Sequence, residues 1–401
     1  MTGGTTASAL ARTKAMGSSR QRLVLFAAIA VAACDGTKHG GEVNRHVCGD
    51  GFCDVDETDE SCGLDCGCGA NTCQEAVAPF GCRCDSDCLE HDDCCDDAEA
   101  CFGETTYINP AVGFNCPDPG VLADDGRFYM VCTGGRFPIR VSDNLILWED
   151  TGAAILPGGV APWSANGKRN WAPEIHKIGD RYVAYYTAVN GGDVLSIGAA
   201  SADSPFGPYI DRGGPLVEHP QGVIDATYFR DPDGGAHYLL YKIDGNAHGQ
   251  PTPILIRKLA GDGLSFAGEP VEILRNDSGS WEGGVVEAPW LIKRGGKYYL
   301  FYSGNVFDGR YRTGVARSGS LLGPYEKHGD PILANDDTWM GPGHGSVVSV
   351  NGGDLFVYHA WRVSDGEGRF VLVDRIDWVD GWPAIGDGTP SEDYMPWPLE
   401  E

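Results

Sequence analysis

Five strand-like runs open on residues that could do chemistry, and four of the five openings are ionisable. Asp118 stands in CPDPGVL, Asp225 in IDATYFRD, Glu287 in VEAPWLIK and His344 in GHGSVVSV, while WAPEIHKI opens near Ala172. In chain order Asp118, Ala172, Asp225, Glu287 and His344 lie 15, 15, 17, 16 and 15 residues before Thr133, Thr187, Lys242, Ser303 and His359. Acids at strand edges are common, which accounts for one such position well and for four poorly. Three carboxylates brought together repel one another, and the repulsion raises at least one pKa. A protonated carboxyl beside an ionised carboxylate is what glycoside cleavage uses. Placement on separate strands across a channel suits the gap of about 6.5–9.5 Å that an inverting enzyme leaves for its water.

The elements that must position these residues repeat. Five segments are rich in aromatic and aliphatic residues: RFYMVCT at 127–133, RYVAYYT at 181–187, HYLLYK at 237–242, KYYLFYS at 297–303 and DLFVYHA at 354–360. Their matched positions are 54, 55, 61 and 56 residues apart. Each is preceded by one apolar run across a turn such as Asp125-Gly126 or Gly295-Gly296, and followed by another. A period near 55 with several strands in each repeat predicts an all-β, five-bladed β-propeller over 109–387. A β-sandwich would not repeat the same trio of strands five times. The innermost strands of a propeller run in one sense, so their first residues gather at one mouth of the channel.

With the motifs laid out, 109–387 resembles glycoside hydrolase family 43. The resemblance rests on NCPDPGVL, NWAPEIHKIGDRYVAYYT, SPFGPY, VIDATYFRDPDG, WEGGVVEAPWLIKRGGKYYLFYS, GVARSGSLLGPY, GPGHGSVV and YHAW followed by DRIDWVDGWP, in the family's order. It implies an inverting mechanism in which Asp118 is the general base, Glu287 the general acid, and Asp225 orients the acid and keeps its pKa raised. It also implies a hydrated calcium or similar ion on the axis near His344. IDATYFRD stands where many relatives are closer to IDPSFF, and EAPW where many have EGPH; neither departure removes a carboxylate. The family's substrates are pentose polysaccharides. GHGSVV favours α-L-arabinofuranosyl linkages, with β-xylosides the alternative. Trp171, just ahead of the second inner strand, is the candidate for stacking on sugar. No organic cofactor is implied.

The remaining 108 or so N-terminal residues point to export. Arg20 and Arg22 precede an apolar run from Leu23 to Ala33, too short to span a bilayer. Residues 1–33 therefore read as a signal peptide. Val31-Ala32-Ala33-Cys34 resembles a bacterial lipobox, which implies lipidation of Cys34 and attachment to a membrane. Of 15 cysteines, twelve lie between Cys48 and Cys101 and two are Cys116 and Cys132, so after Cys34 both groups are even. In an exported chain that predicts disulfides rather than zinc. Residues 34–47 read as a linker and 48–66 as an acidic cysteine-rich module. Residues 68–102, with the adjacent pair Cys94-Cys95, resemble a somatomedin B domain, which implies either a rigid spacer or a site for a protein partner. A formal net charge of -27 excludes nucleic acid as a natural partner. The competing reading is a non-catalytic sugar-binding or adhesion lipoprotein. The full carboxylate set argues against it, because a binder has no need of Asp118, Asp225 and Glu287 together.

Overall fold

A strand packed between two neighbours must be apolar on both faces, and the aromatic-rich segments meet that demand. In a computed structural model of the protein, residues 106–364, 368–393 and 395–396 are described. The signal-like segment, Cys34, the linker and the modules at 48–66 and 68–102 lie outside them. Within the described residues the chain forms five four-stranded antiparallel sheets, each from four consecutive strands. Blade one comprises β2 (Gly120–Asp124), β3 (Arg127–Val131), β4 (Pro138–Ser142) and β5 (Glu149–Ala154). Blade two comprises β6 (Trp171–Ile178), β7 (Arg181–Val189), β8 (Leu195–Ala202) and β9 (Ile210–Asp211). Blade three comprises β10 (Val223–Arg230), β11 (His237–Ile243), β12 (Ile254–Lys258) and β13 (Val271–Leu274). Blade four comprises β14 (Val286–Arg294), β15 (Lys297–Gly304), β16 (Arg312–Ser318) and β17 (Glu326–Lys327). Blade five comprises β18 (Trp339–Val350), β19 (Gly353–Arg362), β20 (Phe370–Val379) and β21 (Trp382–Ile385). The first strand of each blade touches the first strands of both neighbours, in the closed order β2, β6, β10, β14, β18 and back to β2. The fold is thus the expected five-bladed propeller, with first strands on the axis and the aromatic-rich segments as second strands.

Alternation along those second strands builds the core. Tyr182, Ala184 and Tyr186 of β7 face blade one and pack with Val131, Phe137 and Ile139. Val183 and Tyr185 of the same strand face blade three and pack with Val223, Leu239 and Tyr241. In β15, Tyr298, Leu300 and Tyr302 join blade three, and Tyr299 and Phe301 join blade five. One apolar cluster therefore fills each gap between blades, and the fifth, around Val121, Met130, Val357 and Val371, closes blade five on blade one.

No strand of one blade completes another, so the ring must be closed differently. The segment ahead of blade one lies along blade five: Val112 bridges Val371, and the Cys116 N–H donates to the Arg369 carbonyl at 2.8 Å. Tyr107 donates its hydroxyl proton to the Val373 carbonyl at 2.8 Å. Two short strands, β1 (Thr106–Tyr107) and β22 (Met395–Pro396), pair antiparallel and tie the ends together. Cys116 and Cys132 are joined by a disulfide across Cα atoms 5.2 Å apart, which ties the approach to Asp118 to the end of β3.

Candidate active site

Each blade carries a non-glycine residue at positive φ at the mouth of its first strand: Asp118 (55°), Ala172 (41°), Asp225 (57°), Ala288 (53°) and His344 (49°). Left-handed backbone is costly for side-chain-bearing residues. The pairing of first and second strands breaks register at these places in blades two to five, between Trp171 and Glu174, Ile224 and Thr227, Glu287 and Trp290, and Gly343 and Ser346. Such a bulge re-aims a side chain out of the alternating pattern. Glu287 differs from the expected arrangement in one respect. The residue equivalent to Asp118 and Asp225 in blade four is Ala288, 15 residues before Ser303, and Glu287 is one step earlier, directly opposite Ser303. The spacing of 16 rather than 15 was the sequence signal of that offset.

Bulged N–H groups are captured by side chains around the ring. Ala172 N–H donates to Thr133 Oγ1 at 2.7 Å, Ala288 N–H to Asp225 Oδ2 at 3.0 Å, His344 N–H to Ser303 Oγ at 2.8 Å, and Asp118 N–H to His359 Nδ1 at 3.1 Å. Each acceptor belongs to the preceding blade, so the mouth is knitted blade to blade. Three of these acceptors, Thr133, Ser303 and His359, were visible as matched positions, but their roles were not. A polar residue recurring at the end of an apolar segment was the signal.

Asp118 is buried, and Thr133 Oγ1 donates to its Oδ2 at 2.5 Å while Arg369 Nη1 donates to its Oδ1 at 2.8 Å. Burial alone would raise its pKa. The charge of Arg369, the nearby His344 and the Thr133 hydrogen bond outweigh burial and hold it well below the usual carboxylate range. His359 is fully buried, and burial together with Arg369 pushes its pKa well below the ordinary value. Its Nδ1 accepts from the Asp118 N–H, so the 3.3 Å approach to Asp118 Oδ1 is no ion pair.

Asp225 behaves oppositely. Burial, with the charges of Glu287 and Asp118, pushes its carboxyl up to about 7 against the pull of His344 and Lys242. Glu287 accepts from two buried donors, Lys242 Nζ at 2.7 Å on Oε2 and the Tyr311 hydroxyl at 2.9 Å on Oε1. Lys242 also reaches Asp244 Oδ1 at 2.9 Å. Its burial works against the ammonium, but Glu287, Asp244 and Asp225 more than compensate and keep it charged. Tyr311 in turn stacks on His359, centroids 5.9 Å apart at 7°. Tyr311 and Arg369 fall outside the repeated segments, and no periodic signal marks them.

The other candidates divide. Trp171 opens β6, half-buried against Val189, Leu195 and Ile224. His344 Nδ1 lies 3.3 Å from Asp118 Oδ1. One imidazole beside a carboxylate already engaged by Arg369 and Thr133 is a poor match to calcium, which takes about 6–8 oxygen ligands. Among the described residues no group of three or more His, Cys, Asp or Glu side chains is placed to hold an ion. The residues thus do not fit a protein-ligated calcium, and no step below passes through one. Glu174 is structural: its Oε2 pairs with His176 Nε2 at 2.6 Å deeper in the channel, under Tyr228 and Trp290. Glu282 is buried as well, holding Tyr302, Lys327 and the Asp277 N–H.

Comparison with known proteins agrees with this fold. The sequence profile of the family described as "Glycosyl hydrolases family 43" matches residues 107–383. A "Probable arabinan endo-1,5-alpha-L-arabinosidase C" of Aspergillus flavus is 30% identical over 319 residues, covering 70% of this chain and 95% of that protein. An "Extracellular endo-alpha-(1->5)-L-arabinanase 1" of Bacillus subtilis is 30% identical over 305 residues, covering 67% and 86%. Among solved structures, a thermostable family-43 glycoside hydrolase superposes with a TM-score of 0.67 at 31% identity, over 74% of this chain and 100% of that one.

Proposed function

The chain belongs to glycosyl hydrolases family 43, and from that premise we propose that it hydrolyses α-L-arabinofuranosyl linkages of arabinan-type polysaccharides outside the cytoplasm. That it is a glycoside hydrolase follows from the family. The linkage is supported by the arabinan-acting relatives of Aspergillus flavus and Bacillus subtilis, and export by the extracellular name of the second. Attachment through Cys34 and a protein partner for the cysteine-rich modules belong to the same proposal and rest on the cysteine pattern alone.

The observation that carries the mechanism is the contrast between Asp118 and Asp225 at one mouth of the ring. Asp118, charged under all working conditions, takes a proton from water as the water oxygen bonds to the anomeric carbon. The bond from that carbon to the bridging oxygen breaks, and Glu287 gives the leaving oxygen its proton. The configuration inverts because water enters on the Asp118 side while the leaving group departs on the Glu287 side. Asp225 keeps its proton near neutrality, because burial and the charges of Glu287 and Asp118 disfavour its ionised form. Lys242 and Tyr311 hold the Glu287 carboxyl in place, and Trp171 offers an apolar face to the sugar.

The test is to incubate the full chain and its Asp118→Asn and Glu287→Gln variants with arabino- and xylo-oligosaccharides and identify the sugars released. Arabinose or arabino-oligomers from the wild type are expected, with losses of roughly 10²–10⁴ in each variant while circular dichroism shows the propeller still folded. Near wild-type turnover in either variant refutes the assigned roles, and xylose as the product refutes the linkage.

A further inference from the structure

The matched positions of the five second strands share one structural level. Thr187 stands opposite Trp171, Lys242 opposite Ile224, Ser303 opposite Glu287 and His359 opposite Gly343, while the Thr133 N–H donates to the Pro117 carbonyl at 2.8 Å. Each is thus level with the residue just ahead of its own blade's left-handed residue. Alternation along the strand decides which neighbour each side chain faces. In β15, Tyr299 and Phe301 face blade five, and Ser303, two steps on, takes the N–H of His344 in that blade at 2.8 Å. In β19, Leu355 and Val357 face blade one, and His359 takes the N–H of Asp118 there at 3.1 Å. Val131 of β3 faces blade two, and Thr133 takes the Ala172 N–H at 2.7 Å.

Two junctions depart from this pattern. Between blades three and four the matched residue is Lys242, whose ammonium has no lone pair to offer. There Asp225 Oδ2 receives the Ala288 N–H instead, at 3.0 Å. Between blades two and three the matched residue is Thr187. Val183 and Tyr185 face blade three, and Thr187 does so by the same alternation, because the β7–β8 pairing runs unbroken from Tyr182 to Val189. Two steps further, Val189 packs with Ile224, the residue before Asp225. Thr187 is fully buried, and its Oγ1 has no hydrogen-bond partner among the described residues. A buried hydroxyl without a partner is costly, so one facing the head of β10 needs a physical account.

We infer that Thr187 is a positioning residue for Asp225: in the working enzyme its hydroxyl oxygen takes the Asp225 N–H, as its counterparts take the N–H groups heading blades one, two and five. The inference rests on the hydrolase reading above, in which Asp225 acts beside Glu287. Asp225 holds the head of blade four through the Ala288 N–H, next to the proposed acid. Its own main chain lies in the register break between Ile224 and Thr227, outside the β10–β11 ladder. A side chain with that task needs its main chain fixed. Thr187 supplies the restraint from the neighbouring blade, without touching the sugar. Loss of the hydroxyl frees the Asp225 main chain, and the displacement passes through the Ala288 N–H to Glu287. Misplacing catalytic groups in this way slows the chemical step more than it weakens binding.

The experiment compares the full-length wild type with Thr187→Val, which keeps the shape and removes the hydroxyl, and Thr187→Ser, which keeps the hydroxyl. Urea unfolding midpoints are measured at one pH, and kcat and KM on arabino- and xylo-oligosaccharides. Thr187→Val is expected to lower the midpoint and to cut kcat about tenfold, with KM within about twofold. Thr187→Ser is expected to keep kcat within about twofold of the wild type. A midpoint unchanged or raised in Thr187→Val overturns the inference, because removing a truly unpaired buried hydroxyl costs nothing. A lowered midpoint with kcat unchanged overturns it too, since the bond is then structural only. So does an equal loss of kcat in both variants, which would trace the effect to packing. If the wild type cleaves neither class of sugar, the hydrolase reading fails and the positioning role falls with it, while the midpoint still decides the hydrogen bond.

Discussion

Asp225 is a buried carboxyl whose neighbours add to the cost of its charge. Its carboxyl is pushed from an ordinary 3.8 to about 7 by burial first and by Glu287 and Asp118 next. The fold therefore favours its protonated form. Its contribution to stability is complete below the ordinary value and is lost as pH rises through about 7. Asp225→Asn removes that dependence, so the melting temperature of the variant should gain on the wild type steadily between pH 4 and 8; a constant difference would show that the burial cost is not expressed. The variant should also turn over more slowly. The component of its kcat/KM profile that titrates near pH 7 should disappear, because the group that ionises there is gone. Asp118 has the opposite sign: Arg369, His344 and Thr133 overcome burial, so its contribution is present above the ordinary value and lost only in strong acid.

At the scale of elements, the mouth depends on bulges at the heads of four first strands, on a left-handed residue at the head of each of the five, and on the side chains that capture four of their N–H groups. The five repeats, the segment of each that forms the second strand, and the carboxylates at the heads of first strands were all legible, because burial between two blades imposes the same pattern every turn of the ring. The offset of Glu287 was legible only as an odd spacing. Lys242 and Thr133 carried a positional signal without a role, and Tyr311 and Arg369 carried none, since each reaches the axis from a segment outside the repeat. Blade one has an additional restraint, the Cys116–Cys132 disulfide, with a sequence separation of 16. Removing a bridge of that loop length frees the unfolded chain by about 3 kcal/mol. Cys132→Ser, read by urea unfolding against the wild type, should lose roughly 2–4 kcal/mol, and activity should fall as well because the strap leads straight into Asp118. No change in the unfolding midpoint would mean that the bridge is redundant with the packing of blade one on blade five.

The whole molecule is a ring, and a ring has to be closed. Each blade is built from consecutive strands, so the junction between blades five and one rests on side-by-side packing, the Val112–Val371 bridge and the β1–β22 pair. Tyr107 and Val112 are buried in that junction, so the segment just ahead of blade one is part of the propeller's packing. Removal of residues 48–102 should accordingly leave kcat/KM on soluble oligosaccharides within about twofold of the full chain. A loss of tenfold or more would show that the cysteine-rich modules take part in hydrolysis rather than in tethering or docking.

Periodicity is a local property of a chain, and so the sequence by itself determined the number of blades, the order of three of the four strands in each, and the three carboxylates at their heads. Convergence is not local. The Asp118–Arg369 contact spans 251 residues, and Lys242 of β11 and Glu287 of β14, 45 apart, meet only because blades three and four pack side by side. Tertiary structure alone decided which donors hold each carboxylate, and through them which one keeps its charge and which one its proton.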